Sequence, residues 1–104
     1  MLQIQSFALE TLRALNPLVR EIAAHDSDLG RQIRRSASSI VLNIAEAQSS
    51  RDGVSRQRYR TALGSTRETL AALEVAAAWG YIPRDTALLD AFDRIAGTLY
   101  RLTH

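Results

Sequence analysis

The sequence has no cysteine, no lysine, two prolines and five glycines among its 104 residues. The lack of cysteine excludes disulfides, thiolate metal ligands and a cysteine nucleophile, and it fits a reducing compartment. No stretch sustains the period-two alternation of a half-buried strand. The longest run without a charged residue, 36–45, is about half the ~20 residues of a membrane span. We therefore expect one cytoplasmic domain over residues 1–104, with no membrane segment.

Residues suited to catalysis are also scarce. The two histidines are His25 and His104, and no histidine lies three residues after a glutamate, the spacing that a carboxylate-bridged dimetal bundle requires. There is no glycine-rich phosphate loop and no base placed for a hydrolytic triad. We therefore expect no enzymatic activity, no metal site and no cofactor.

Helical patterns dominate what is present. Residues 29–47 repeat apolar or small side chains every three or four positions. Within this stretch Ile40, Val41 and Leu42 are consecutive, so they sweep about 200° of helix circumference and cannot all face one core. We predict that this helix is central and that this trio contributes to an interface with a second chain.

Three more helices are predicted, at about 2–24, at about 56–79, and from Pro83 through a heptad pattern that ends at residue 102. Together with the central helix they predict an all-α, antiparallel, up-down-up-down four-helix bundle. Pro17 interrupts the first helix. Either it kinks one helix or, with Asn16 as cap, it begins a new one, and the unbroken apolar phase favours the kink.

Local signals predict the helix ends. Asp26 or Ser27 caps the second helix, Ser55 caps the third, and Gly80 ends the third. Two ion pairs within helices are expected, one between residues 10 and 13 and one between residues 90 and 94.

Three segments resemble a known family. They read Q-I-x-R-S-A-x-S-I-x-x-N-I-A-E at 32–46, Y-x-x-A-L-G-S-x-x-E at 59–68 and G-Y-I at 80–82. These segments are similar to those of the four-helix bundle proteins encoded in intervening sequences of bacterial 23S ribosomal RNA genes, to which the accessory protein of diversity-generating retroelements is related in fold. The family usually has glycine where this chain has Ala47. The resemblance implies a basic protein that forms rings of five and has nucleic acid or a reverse-transcriptase-type protein as partner, and it implies no enzymatic activity.

Polar residues recur within these matching segments, and we interpret them as a structural set. They are Gln32, Ser39, Asn43, Glu46, Ser65 and Glu68. Buried polar groups of this kind form hydrogen bonds between helices and fix their register. The alternative is a ligand or ion site in the central channel of a ring.

The basic residues are all arginines, and they are unevenly distributed. Residues 31–67 hold eight arginines against two acids, whereas the segments on either side are net acidic. Such asymmetry suggests an acidic partner, with RNA or DNA foremost. The candidate nucleic-acid-binding residues are Arg31, Arg34, Arg35, Arg56, Arg58, Arg60 and Arg67.

Two interpretations of these arginines remain open. They either contact phosphates or form a solvated face with salt bridges to acids of the first and fourth helices, within or between subunits. If they contact phosphates, binding should be sequence-independent and salt-sensitive. We expect two positive bands toward opposite ends of the bundle, one at residues 34–35 and one at residues 58–60.

Overall fold

The computed structural model describes residues 3–104 as four helices in an antiparallel up-down-up-down bundle. The helices are α1 (Ile4–His25), α2 (Ser27–Gln48), α3 (Asp52–Ala78) and α4 (Thr86–Thr103). α1 and α3 each pack against both α2 and α4, so the helices follow chain order around the bundle. The predicted all-α fold is confirmed. Within the described part of the chain, no helix is long and apolar enough to cross a membrane.

One apolar stripe from each helix forms the core. In α1 the buried positions are spaced by three or four residues, as a 3.6-residue repeat requires. Burial of each large aliphatic side chain contributes about 1.5–3 kcal/mol, which makes this core the main source of stability. The largest fully buried side chains are Phe92, Ile22, Ile33, Ile40, Ile44, Ile95, Leu99, Thr66 and Thr69.

α1 is one helix that contains Pro17, so the interpretation as a single helix is confirmed. Of its predicted first residues, Leu2 lies outside the described range. α1 crosses α2 closely at Gly30, where a Cβ atom would lie only 2.7 Å from the Cβ of Ala23. Only glycine fits this approach without displacing a backbone.

Hydrogen bonds complete the connectors between α1 and α2 and between α3 and α4. The Asp26 carboxylate accepts the Leu29 N–H at 3.0 Å, which confirms the predicted cap of α2. Gly80 adopts a φ of 79°, and the next N–H donates back to the Ala76 carbonyl at 3.0 Å. This is the Schellman geometry, so the predicted end of α3 is confirmed.

The predicted start of α4 at Pro83 is wrong. The helix begins at Thr86 because the Asp85 carboxylate caps it, accepting the Leu88 N–H at 3.0 Å. The expected pair of Asp90 with Arg94 also does not form, since no oxygen of the former lies within 4 Å of the latter in residues 3–104. The Arg94 guanidinium instead lies 4.7 Å from the centre of the Phe7 ring, a cation–π contact between α4 and α1. The expected pair of Glu10 with Arg13 is present.

The predicted start of α3 is likewise wrong. The helix begins at Asp52, a full turn before the predicted start, and Ser55 lies inside it. The Ser55 hydroxyl donates across the turn to the Ala47 carbonyl at 2.8 Å, so it joins α3 to the end of α2 instead of capping α3. The N-cap position belongs to Arg51, whose side chain makes no capping hydrogen bond.

Candidate nucleic-acid interface

The seven candidate arginines are all exposed. One of them, Arg31, donates to the Asp28 carboxylate at 3.0 Å within the first turns of α2. None of the other six has a carboxylate oxygen within 4 Å in residues 3–104. Salt bridges to acids of α1 and α4 therefore do not account for them within the chain.

These arginines lie on different sides of the bundle. Arg34 lines a groove between α1 and α2. Arg67 lies one turn before Leu70, which lines the groove between α3 and α4. Arg60 lies two turns before Arg67 on the same face of α3. Arg34 therefore lies on a different side of the bundle from Arg60 and Arg67, and the arginines do not form one patch.

Charge is also divided along the bundle axis. The basic end comprises residues 3–7, 46–60 and 100–104, where α1 and α3 begin and α2 and α4 end. It carries five arginines and two acids. The acidic end comprises residues 20–31 and 74–90 and carries three arginines and six acids. Such polarity makes the basic end the more favourable end for a negative charge.

The two expected positive bands are therefore unequal. Arg58 and Arg60 lie within the basic end, as predicted. Arg34 and Arg35 lie in the first half of α2, next to the acidic end, which carries more acids than arginines. We conclude that the excess of positive charge is greatest where α2 turns into α3.

Ion pairing at the acidic end is local. Glu74 accepts two hydrogen bonds of 2.9 Å from Arg84, one on each carboxylate oxygen. These hydrogen bonds lower the pKa of Glu74, and they raise the pKa of Arg84. This arrangement leaves that arginine little capacity for phosphate.

Three of the polar motif residues form one hydrogen-bonded group between α2 and α3. The Ser65 hydroxyl donates to the Ser39 hydroxyl at 2.8 Å. The Asn43 amide donates to the Ser39 carbonyl and hydroxyl, at 2.9 and 3.0 Å. The bond between Ser39 and Ser65 is a contact between helices of the kind that the sequence predicted, and its role in fixing their register stays a prediction. Among residues 3–104 the other three, Gln32, Glu46 and Glu68, are exposed and make no side-chain hydrogen bond.

A second polar contact between α2 and α3 was missed. The hydroxyls of Ser36 and Thr69 lie 2.7 Å apart, fully inside the bundle. Both residues fall on apolar stripes, so their positions in the periodic pattern could have identified them. They bring α2 and α3 into register one turn below the contact between Ser39 and Ser65.

The trio predicted at an interface is divided by burial. Ile40 is 0% exposed and Val41 is 9% exposed, and both pack in the core of their own chain. Leu42 is 65% exposed. Leu42 is therefore the member of the trio that a second chain can reach.

Comparison with known proteins identifies the family of this chain. The model of the family described as 23S rRNA-intervening sequence protein matches residues 2–101. The chain belongs to this family. No curated protein matches the chain.

A solved structure extends the family likeness to the fold. It is the crystal structure of a protein with unknown function from the S23 ribosomal protein family of Bacteroides thetaiotaomicron VPI-5482. That protein is 23% identical over 96% of this chain and 97% of its own, with a TM-score of 0.82. At this identity the likeness concerns the fold. This chain and the solved protein thus share the four-helix fold.

Proposed function

We propose that this member of the intervening-sequence family is a non-enzymatic scaffold that assembles with copies of itself and binds the backbone of RNA or DNA. The observation that carries the proposal is the set of six exposed arginines without a carboxylate partner in residues 3–104, three of which, Arg56, Arg58 and Arg60, lie within the basic end. Guanidinium groups match phosphate oxygens in geometry and charge. The described residues contain no base-reading motif, so binding is expected to be independent of sequence.

Assembly would strengthen this binding. The family resemblance implies a ring of five, in which each subunit repeats the same arginines. Weak phosphate contacts on linked sites add through effective concentration, so the assembled particle binds far more tightly than one chain. We expect affinity to fall steeply between low and physiological salt, as counterion release requires.

The binding test compares two double variants of equal charge. Arg58→Gln with Arg60→Gln removes two unpaired arginines at the basic end. Arg13→Gln with Arg84→Gln removes two arginines that already pair with carboxylates. Fluorescence anisotropy with mixed-sequence RNA and DNA should show weaker binding and a smaller salt slope for the first variant only. Failure of the wild-type protein to bind any oligonucleotide at low salt would contradict the proposal.

The assembly test uses Leu42→Glu. Because this side chain is exposed, the substitution should leave the bundle folded while it disrupts a contact between chains. We expect native mass spectrometry to show a multimer for the wild type and smaller species for the variant, both helical by circular dichroism. A monomeric wild-type particle would contradict assembly.

A second candidate is an adaptor that binds only protein, such as a reverse-transcriptase-type partner. The exposure of Leu42 beside the motif residues favours this alternative, since an exposed apolar side chain suits a protein contact. In that case the arginines serve contacts between subunits or with the partner. The same experiments separate the two, because an adaptor would assemble but would not retain RNA or DNA.

A further inference from the structure

The turn from α2 into α3 forms a concave site at the basic end. The concavity has a volume of about 740 Å³, within the range of small-molecule sites, roughly 300–1,000 Å³. Its polar wall comes from the turn and the first two turns of α3, and Ala47 and Leu102 line it as apolar residues. The site therefore combines polar groups with a smaller apolar surface.

Two cations line this concavity. Arg51 and Arg56 are exposed, and neither has a carboxylate oxygen within 4 Å in the described chain. One acid, Asp52, also lines it, so the lining carries a net charge of one positive unit. Two guanidinium groups on one concave surface suit an oxyanion with several acceptor oxygens.

A tyrosine hydroxyl supplies the second, independent observation. Tyr59 is only 7% exposed, yet its hydroxyl makes no hydrogen bond within residues 3–104. In that range no side-chain oxygen is both fully enclosed and without a partner, so this hydroxyl keeps access to solvent. Tyr59 lines the concavity. Burial raises the pKa of Tyr59, so the hydroxyl remains a protonated donor at neutral pH.

The start of α3 adds to these donors. Its N-cap residue, Arg51, offers no side-chain acceptor to the first N–H groups of the helix. A helix start of this kind favours a negative group nearby. It supplements the arginines and the hydroxyl of Tyr59, which define the site.

We propose that this concavity is a phosphate-binding site that holds one phosphate group of a nucleotide or nucleic acid. Arg51 and Arg56 would contact the phosphate oxygens, the Tyr59 hydroxyl would donate a further hydrogen bond, and Leu102 would contact the attached nucleoside. The source of the phosphate, as an internal or a terminal group of RNA or DNA, rests on the proposed function. The site itself concerns phosphate chemistry and can be tested without nucleic acid.

The first test titrates the full-length protein with inorganic phosphate while side-chain and backbone resonances are followed by NMR. Saturable shifts at residues 50–59 are expected. Tyr59→Phe removes only the hydroxyl and should weaken phosphate binding without unfolding the chain. Arg51→Gln with Arg56→Gln should weaken it at least about tenfold, since hydrogen bonds to charged groups are lost. The control is the Arg13→Gln, Arg84→Gln protein, which should bind as the wild type does.

A further variant is expected to change the affinity for phosphate in the opposite direction. Asp52→Asn removes the only acid of the lining, and asparagine tolerates the positive φ of 26° found there. It should tighten phosphate binding. Equal affinity of the wild type, Tyr59→Phe, the double arginine variant and Asp52→Asn would overturn the proposal.

The second test identifies the source of the phosphate. Oligonucleotides with a 5′-phosphate, a 3′-phosphate or no terminal phosphate are compared for the wild type and Tyr59→Phe. A terminal source predicts that only one phosphorylated end gains affinity and that Tyr59→Phe abolishes this gain. An internal source predicts equal affinity for all three, weakened equally by Tyr59→Phe. Oligonucleotide binding that ignores every variant of the site would overturn the site but leave the proposed function intact. Phosphate binding without oligonucleotide binding would support the site and contradict the proposed function.

Discussion

The two ends of the bundle differ in the capping of the helices that begin there. At the acidic end, Asp26 and Asp85 cap the helices that begin there. Gly80 closes α3, and Arg84 pairs with Glu74 through two hydrogen bonds. At the basic end, α3 begins without a side-chain cap, and the arginines around its start have no carboxylate partner in residues 3–104.

This difference helps to distinguish residues with a structural role from residues that are free to bind a partner. Where local rules of capping and pairing are obeyed, the residues already have a structural role. Where the rules are broken, as at Arg51 and at the positive φ of Asp52, some other requirement is being met. We propose that the basic end, where α3 starts without a side-chain cap, is the end that meets an anionic partner.

The largest expected effect comes from disrupting the packing of α1 against α2 within the acidic end. Gly30→Val would place a branched side chain against Ala23, where even a Cβ comes within 2.7 Å. We expect a loss of about 3 kcal/mol in the free energy of unfolding, as for other overpacked sites. The matched control is Gly53→Val at the basic end, where a Cβ would meet nothing within 4 Å. Chemical denaturation should leave the control within about 0.5 kcal/mol of the wild type. Equal stability of the two variants would mean that Gly30 does not mark a close helix crossing.

An intermediate effect is expected from Arg51→Ser, which would give α3 the side-chain cap that it lacks. Arg51 has φ −110° and ψ 145°, the extended conformation that an N-cap serine adopts. Arg51→Ser should therefore cap α3 and raise the free energy of unfolding by about 1 kcal/mol. The same substitution removes a cation from the basic end, so phosphate or oligonucleotide binding should weaken. Thermal melts and anisotropy on one protein sample measure both.

Asp85→Ala at the other end provides the reference for that experiment. It removes an existing cap and should cost about 1 kcal/mol without changing binding. If Arg51→Ser lowered stability, the uncapped start of α3 would need another explanation. If Arg51→Ser raised both the free energy of unfolding and the affinity for phosphate, the idea that Arg51 serves binding at the expense of stability would be refuted.

The sequence predicted most of the fold, because the relevant signals are local and periodic. The apolar stripes, the cap at Asp26 and the glycine end at Gly80 are each read from a few adjacent residues. The predicted starts of α3 and α4 were wrong for opposite reasons. Ser55 has the side chain of a cap but is used across the turn, whereas Asp85 is the better cap beyond Pro83.

The candidate site was less accessible to sequence reasoning. Arginine exposure followed from composition, but the concavity at the turn depends on which residues of α3 and α4 meet there. Arg51 was not among the predicted arginines, and Tyr59 entered only as the first residue of a segment that resembles the family. A tyrosine that is buried while its unpartnered hydroxyl stays open to solvent is a property of three-dimensional packing, which spacing alone does not encode.

The smallest expected effect concerns the pair of Glu74 and Arg84 at the acidic end. Arg84 lowers the pKa of Glu74 in the folded protein, chiefly by hydrogen bonding. A lowered folded-state pKa means that the pair stabilises the fold above the pKa of the unfolded chain, and that this contribution is lost as pH falls through the lowered value. Both side chains are largely solvent-accessible, so screening keeps the contribution small. Thermal melts between about pH 7 and pH 3, spanning the ordinary glutamate pKa of about 4.3, should show a slightly weaker pH dependence for Glu74→Gln than for the wild type. Glu68→Gln, which alters an exposed carboxylate without an ion pair in residues 3–104, is the control and should leave the acid limb nearly unchanged. If Glu74→Gln and Glu68→Gln had the same acid limb, the paired character of the acidic end would have no energetic consequence, and its contrast with the basic end would rest on capping alone.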